Sequence, residues 1–141
     1  MKKIRIAING FGRIGRTFCR QMQHNKGLEL VAINDLADSY TLCHLLKYDS
    51  VHRAFPGNVT CDPSHLIING HKVSILNIAQ PALIPWKEYD IDVVVESTGN
   101  FTKKEDAEQH LAAGALKVVI SSPAKGENDD IQCVVLGVND H

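Results

Sequence analysis

The chain has 141 residues, of which 44% are hydrophobic and 22% are charged, and its formal net charge is −1. This length and composition are typical of one globular domain with a sizeable core. The near-neutral charge gives no electrostatic reason to expect nucleic acid or a membrane surface as a partner. No stretch reaches the apolar length of a transmembrane helix, and Arg5 interrupts the short apolar run near the start, which argues against a signal peptide.

Cysteine and histidine spacing gives no sign of a metal site. The four cysteines, Cys19, Cys43, Cys61 and Cys133, have no C-x-x-C spacing, so we expect free thiols. The seven histidines form no H-x-x-x-H pattern, and we interpret them as structural or surface residues. Cys133 lies in a β-branched run and is predicted to be a buried strand residue.

The first third of the chain predicts a strand, a helix and a second strand. The apolar run "KKIRIAI" ends at Asn9-Gly10 and is predicted as a strand. Ile14, Phe18 and Met22 follow at four-residue spacing, which predicts one apolar helical face. The run "LELVAIND" predicts the second strand, so that residues 1–35 form a βαβ unit.

The middle of the chain departs from this parallel pattern. Residues 39–48 predict a helix with Leu42, Leu45 and Leu46 directed inward. Asn69-Gly70 stands between two apolar runs, which predicts a hairpin with a two-residue turn. The proline-containing stretch "QPALIPW" predicts a loop or a single helical turn.

The last third returns to alternating strands and helices. "IDVVVESTG" is a nearly continuous apolar strand, as expected when helices cover both faces of a sheet. Thr102 and Glu105 predict a capping box that opens a helix ending near Gly114. "KVVIS" and "QCVVLGVN" predict two further strands. The whole order predicts an α/β fold, a Rossmann-type doubly wound and mostly parallel sheet with an inserted antiparallel hairpin.

The turn after the first strand contains Gly10, Gly12 and Gly15 at the spacing G-x-G-x-x-G. These glycines permit a sharp turn, close approach of a pyrophosphate and tight packing of the helix, whose N-terminus attracts phosphate. Asp35 ends the second strand, where a carboxylate accepts hydrogen bonds from ribose hydroxyls and repels a 2′-phosphate. The pattern therefore favours NAD over NADP. A turn without a ligand, Asp35 as a helix cap, and a flavin or methyl-donor site remain alternatives.

Five motifs distributed over nearly the whole chain carry a family resemblance. They are "RIAINGFGRIGR", "AINDL", "HLLKYDSVH", "VVVESTGNFT" and "KVVISSPAK", and they occur in the order found in the NAD-binding domain of glyceraldehyde-3-phosphate dehydrogenase, which the chain resembles. The erythrose-4-phosphate dehydrogenases are similar, but Asp35 in "NDL" favours the glyceraldehyde enzyme. Where the family often has E-R-D-P near the adenine, this chain has Ala79 in place of the arginine, so we do not predict that loop as a site.

The resemblance implies a set of cofactor-binding residues. They belong to the glycine turn, to the end of the second strand, to the turn after the strand "IDVVVE" and to the end of the following strand. In this sequence they are Asn9, Gly10, Phe11, Gly12, Arg13, Ile14, Asn34, Asp35, Ser97, Thr98, Gly99, Phe101 and Ser121. NAD is the implied cofactor.

The resemblance also implies where catalysis takes place. The family's nucleophile is a cysteine in an S-C-T-T-N motif, and none of the four cysteines here has those flanking residues. We therefore predict that residues 1–141 are an NAD-binding domain, that the catalytic domain is absent from this chain, and that the chain alone is inactive. A stand-alone, non-enzymatic NAD-binding module is the alternative. For the full-length parent the resemblance implies a cytoplasmic homotetramer acting on a sugar phosphate.

Overall fold

The computed structural model describes residues 1–126 and 131–141, in which strands and helices alternate. The strands are β1 (Ile4–Asn9), β2 (Leu28–Asn34), β3 (Tyr48–Asp49), β4 (Arg53–Ala54), β5 (Val59–Asp62), β6 (His65–Ile68), β7 (His71–Leu76), β8 (Val93–Glu96) and β9 (Lys117–Ile120). The helices are α1 (Arg13–Met22), α2 (Ser39–Lys47) and α3 (Lys104–Ala112), and two short 3-10 helices span Pro81–Leu83 and Trp86–Tyr89.

Seven strands form one sheet in the order β5-β6-β7-β2-β1-β8-β9. The five strands from β7 to β9 in this order are parallel neighbours, whereas β5, β6 and β7 pair antiparallel. Asn69 and Gly70 join β6 to β7 with φ values of 51° and 82°, as a two-residue hairpin turn requires. The predicted α/β fold, with a mostly parallel sheet and an inserted antiparallel hairpin, is confirmed.

The central strands are buried because helices and 3-10 segments cover both faces of the sheet. Neighbouring residues of β1 point to opposite faces, so Ile8 packs with Phe11 and Leu42 while Ala7 packs with Trp86 on the other side. Both Ala7 and Ile8 have no exposed surface. This two-sided burial explains why β1, β2 and β8 are nearly continuous apolar runs.

Helix α1 buries only part of the predicted face. Met22 is buried and Phe18 is partly buried against the core, as predicted, but Ile14 is 54% exposed, and Gly15 and Cys19 are buried instead. The reason is the close approach of the helix to the sheet at Gly15, where an added Cβ would collide with the carbonyl oxygen of Gly10. That contact turns the Gly15 face, rather than the Ile14 face, towards β1.

The predicted capping box and part of the predicted α2 face are wrong. Helix α3 begins at Lys104, and its N-cap residue is Lys103, whose side chain makes no capping hydrogen bond. Thr102 lies one residue before the N-cap position, where it is buried and its carbonyl accepts from Lys125 N at 3.0 Å. In α2, Leu42 and Leu46 are buried, but Leu45 is exposed. Among the described residues no helix is long and apolar enough to cross a membrane.

The predicted strand over 132–139 does not form, and Cys133 is exposed rather than buried. Side chains of the same segment form hydrogen bonds with its backbone. Asn139 Oδ1 accepts from Val135 N at 2.6 Å, and Asn139 Nδ2 donates to the Cys133 carbonyl at 2.8 Å. Asp140 Oδ1 accepts from Gly137 N at 2.9 Å. Asn and Asp bonds of this kind compete with ladder pairing. The β-branched composition therefore does not lead to a strand in this segment.

Candidate functional site

A cleft of about 310 Å³ lies beyond the carboxyl ends of β1, β2 and β8. This is the edge at which ligands bind in open α/β sheets, because loops diverge there and helix N-termini face outward. The cleft combines polar strand ends with apolar loop residues. Its lining consists of Asn9, Gly10, Gly12, Asn34, Asp35, Leu36, Ile78, Ala79, Ser97, Thr98, Asn100 and Phe101.

The glycine turn forms the floor of the cleft. Gly10 has a φ of 90°, a left-handed conformation that glycine adopts without strain, and its backbone packs against Thr98. The first backbone hydrogen bond of α1 is donated by Arg16 N to Gly12 O at 3.0 Å. The backbone amides before Arg16 in the first turn therefore have no carbonyl partner within the helix. Open space above Gly12, where a Cβ would meet no atom within 4 Å, leaves these amides accessible to an anion.

Asp35 lies at one wall of the cleft and is partly buried. Its Oδ2 accepts from Phe11 N at 2.8 Å, and its Oδ1 accepts from Ala37 N at 2.9 Å. A carboxylate offers about four acceptor positions, so about two remain for a ligand. Asp38 rather than Asp35 caps α2, which removes the helix-cap interpretation of Asp35.

Asn34 connects the cleft to the loop after β7. Its Oδ1 accepts from Ile78 N at 2.9 Å, and its Nδ2 donates to Ile78 O at 2.8 Å. The same Nδ2 donates to Asn9 Oδ1 at 2.8 Å. Asn34 therefore fixes the position of Ile78, an apolar wall of the cleft, relative to β1.

Glu96 is a buried carboxylate directly behind the cleft. It ends β8, is 2% exposed, and accepts from Asn9, Thr98 and His110. Burial raises the pKa of the Glu96 carboxyl, but hydrogen bonds from His110, Asn9 and Thr98 outweigh burial and hold its pKa below the ordinary value. Glu96 is therefore ionised at neutral pH.

The lowered pKa of Glu96 predicts acid-sensitive stability. A carboxyl with a lower pKa in the folded state stabilises the fold above its unfolded pKa of about 4.3, and this stabilisation disappears as pH falls through the folded pKa. We expect the wild-type free energy of unfolding to fall more between about pH 5 and about pH 3 than that of Glu96→Gln. Urea unfolding followed by Trp86, the single tryptophan, measures both. Equal pH dependence in the two proteins would contradict the expectation.

Eight of the thirteen residues predicted for the cofactor site line the cleft together: Asn9, Gly10, Gly12, Asn34, Asp35, Ser97, Thr98 and Phe101. The other five surround it. The Phe11 ring is buried in the core, Arg13 and Ile14 are exposed in the first turn of α1, and Gly99 is exposed in the turn after β8. Ser121 is exposed at the end of β9, where its N–H donates to Glu96 O at 3.0 Å.

Four residues of the lining were not predicted from the sequence: Leu36, Ile78, Ala79 and Asn100. Leu36 and Asn100 stand next to predicted residues, and sequence proximity was enough to indicate them. Ile78 and Ala79 follow β7, which pairs parallel with β2 and so delivers its carboxyl end to the cleft. The resemblance had placed this loop near the adenine, but it was not predicted as a site because Ala79 stands in place of the family's arginine.

The described cleft lining contains neither cysteine nor histidine. Cys19 and Cys43 are buried, and burial raises the pKa of Cys19 to about 12 and that of Cys43 to about 11. Thiols with raised pKa values are weak nucleophiles at neutral pH. Within residues 1–126 and 131–141 no group of three or more His, Cys, Asp or Glu side chains is placed to hold a metal ion. The cleft can bind and orient a ligand through amides, one carboxylate and apolar walls.

Comparison with known proteins agrees with this geometry. The family model described as glyceraldehyde 3-phosphate dehydrogenase, NAD binding domain, matches residues 4–104. The enzymes of that name from Thermotoga maritima and Geobacillus stearothermophilus are 52% and 50% identical to the chain over 138 and 136 residues. Glyceraldehyde-3-phosphate dehydrogenase 1 of Bacillus cereus is 50% identical over 135 residues.

Each alignment covers 96% of this chain and 40% of the relative, so the chain spans about 40% of the length of these relatives. The matched region includes the glycine turn, Asp35 and the turn after β8. These are the elements that build the cleft. The chain belongs to the family of glyceraldehyde-3-phosphate dehydrogenase NAD-binding domains.

Proposed function

We propose that residues 1–141 form one domain that binds NAD in the cleft at the carboxyl ends of β1, β2 and β8. One observation supports this most strongly: Gly12, the N-cap of α1, and Asp35 line the same cleft. The amides of the first turn of α1 suit the two phosphates, and the Asp35 carboxylate suits the vicinal hydroxyls of a ribose. A Cβ added at Gly12 would meet no atom within 4 Å, so the space beside this residue is open to a phosphate group.

The two walls of the cleft suit the two halves of the cofactor. Leu36, Ile78 and Ala79 lie on the Asp35 side and offer apolar surface to an adenine ring. The absence of the arginine that the family often has near the adenine leaves this contact to apolar packing and backbone. Thr98 and Phe101 line the opposite side, towards which we place the nicotinamide, with Ser121 beyond it.

The polypeptide to which this domain belongs is, we propose, a phosphorylating glyceraldehyde-3-phosphate dehydrogenase. NAD held in the cleft would supply the hydride acceptor for such an enzyme. This chain's own residues bind and orient the cofactor, and the catalytic groups lie in a separate domain. For the full-length enzyme we propose a cytoplasmic homotetramer whose partners are NAD and a sugar phosphate, without nucleic acid or membrane.

The chain alone is expected to lack dehydrogenase activity. The reason is that its cleft presents no thiol, and Cys19 and Cys43 are buried with raised pKa values. The measurement is NADH absorbance in the presence of glyceraldehyde 3-phosphate, inorganic phosphate and NAD, with a full-length homologue as the positive control. Substrate-dependent NADH formation by the pure chain would refute the expectation.

Calorimetric titration tests the binding proposal itself. We expect NAD to bind with a stoichiometry of one, NADP to bind at least tenfold more weakly because Asp35 repels a 2′-phosphate, and S-adenosylmethionine to give no saturable heat. Equal binding of NAD and NADP would remove the assigned role of Asp35. Preferential binding of S-adenosylmethionine would replace the proposed function with a methyl-donor site.

A further inference from the structure

A continuous chain of buried hydrogen bonds runs from the far side of the sheet to the cleft. The indole N–H of Trp86 donates to His110 Nδ1 at 2.9 Å, and His110 Nε2 lies 2.9 Å from Glu96 Oε1. Trp86 and His110 have no exposed surface, and Glu96 is 2% exposed. Three residues from three separate elements thus form one solvent-excluded array.

Trp86 and Glu96, the two ends of this array, determine which atom donates in each of its hydrogen bonds. An indole nitrogen can only donate, so His110 Nδ1 carries no proton and the ring is the neutral tautomer with its proton on Nε2. An ionised carboxylate can only accept, so this proton is donated to Glu96. His110 is therefore a fixed donor to the carboxylate rather than a cation paired with it.

All the acceptor positions of Glu96 are occupied. Oε1 accepts from Asn9 Nδ2 at 2.6 Å as well as from His110. Oε2 accepts from Thr98 N at 3.0 Å and from Thr98 Oγ1 at 2.8 Å. Four donors for about four acceptor positions leave no place for a proton on the carboxyl group, which agrees with its ionised state.

This arrangement determines how polar groups are presented to the cleft. Asn9 donates through its NH₂ group to Glu96, so its Oδ1 faces Asn34. Asn34 Nδ2 donates to this oxygen at 2.8 Å. Asn34 Oδ1 accepts from Ile78 N at 2.9 Å and Asn34 Nδ2 donates to Ile78 O at 2.8 Å, so the Ile78 backbone independently requires the same orientation of Asn34. The carboxylate thus sets the orientation of the Asn9 amide, whose Oδ1 then matches the NH₂ group that Asn34 presents.

We propose that Glu96 is a positioning residue for the cofactor cleft: its buried carboxylate, backed by neutral His110 and Trp86, orients Asn9 and the Thr98 turn for cofactor binding. This inference rests on the proposed NAD site. Glu96 itself does not line the cleft, so its effect on the cofactor is exerted through Asn9 and Thr98.

Glu96→Gln tests the proposal because the substitution keeps the shape and removes two acceptor positions. In either orientation the new NH₂ group faces two donors, from Thr98 or from Asn9 and His110. We expect NAD affinity, measured by calorimetry well below the unfolding temperature, to fall at least tenfold. The matched control is Leu66→Ala, a buried change in β6 outside the cleft lining that lowers stability without touching the array.

Two calorimetric outcomes would overturn the proposal: Glu96→Gln binding NAD within twofold of wild type, or Leu66→Ala losing as much affinity as Glu96→Gln. A second measurement needs no NAD and no variant. In the NMR spectrum of the wild-type chain, His110 is expected to be neutral with a protonated Nε2 and an unprotonated Nδ1. A proton on Nδ1 would overturn the inferred direction of the array even if Glu96→Gln fails to fold.

Failure of this inference and failure of the proposed function give different results. If wild type binds NAD and Glu96→Gln binds equally well, the NAD site stands and the role of Glu96 falls. If wild type does not bind NAD, the proposed function falls. In that case the side-chain NH₂ signals of Asn9, compared between NAD-free wild type and Glu96→Gln, still test whether the carboxylate orients this amide, because unchanged signals would contradict that role.

Discussion

Replacing Gly10 with alanine is expected to lower the free energy of unfolding by about 3 kcal/mol or more. Gly10 has a φ of 90°, and an added Cβ would lie 2.6 Å from Thr98 N and 2.8 Å from Thr98 Cα. These are backbone atoms that cannot rotate away, so either the turn or the Thr98 segment must shift. Urea unfolding followed by Trp86 fluorescence measures the effect.

Gly12→Ala is the matched control in the same turn. Its φ is −76°, which any residue adopts, and a Cβ there meets no atom within 4 Å. We expect a stability loss below about 1 kcal/mol, the usual range for this N-cap change, but at least tenfold weaker NAD binding because the methyl group occupies the pyrophosphate position. If Gly10→Ala has the same free energy of unfolding as Gly12→Ala, the close approach of Gly10 to Thr98 does not require a glycine at this position.

Asp35→Asn is expected to weaken NAD binding at least tenfold. The carboxylate accepts charge-assisted bonds from ribose hydroxyls, and an amide offers one oxygen instead of two. Phe11 N and Ala37 N already use one position on each Asp35 oxygen, so the variant also leaves one of these amides without its partner. We therefore expect a stability loss of about 1–2 kcal/mol alongside the loss of affinity.

Asp38→Asn controls for the loss of one negative charge near the cleft. Asp38 caps α2 by accepting from Thr41 N at 2.9 Å, and asparagine caps helices about as well as aspartate. Calorimetry should therefore give an NAD affinity within twofold of wild type, with stability nearly unchanged. An equal loss of affinity in Asp38→Asn would show that Asp35 acts only as a general negative charge.

The parallel core and the glycine turn could be predicted because each depends on local sequence. The apolar runs of β1, β2 and β8 indicate strands buried on both faces, and Asn69-Gly70 indicates its hairpin by turn chemistry alone. Eight predicted residues meet in one cleft because parallel strands end at the same edge of the sheet.

Errors arose where tertiary contacts or side chains override a local pattern. The spacing of Ile14, Phe18 and Met22 fits a helical face, but the approach of Gly15 to Gly10 rotates the helix so that Ile14 is exposed while Met22 stays buried. The run 132–139 has strand composition, yet Asn139 and Asp140 bind its backbone in a local turn. Neither effect is visible in hydrophobic periodicity.

The hydrogen-bonded array of Trp86, His110 and Glu96 could not be predicted from the sequence, for a different reason. Trp86, Glu96 and His110 lie on separate elements, and only the sheet order and the packing of α3 bring them together. Glu96 also stands in an apolar run, where a single carboxylate gives no indication of its partners. Predicting it would need the three-dimensional positions of four donors.

Amide chemical-shift mapping during an NAD titration tests most directly the claim that NAD binds in this cleft. We expect saturable shifts of the backbone amides of Gly10 and Gly12, of the first turn of α1, and of Asp35 and Thr98. We expect little change in β5 and β6, which lie outside β7 in the sheet and contribute no residue to the cleft lining. Shifts that do not saturate, or saturable shifts centred elsewhere with the glycine turn unaffected, would contradict it.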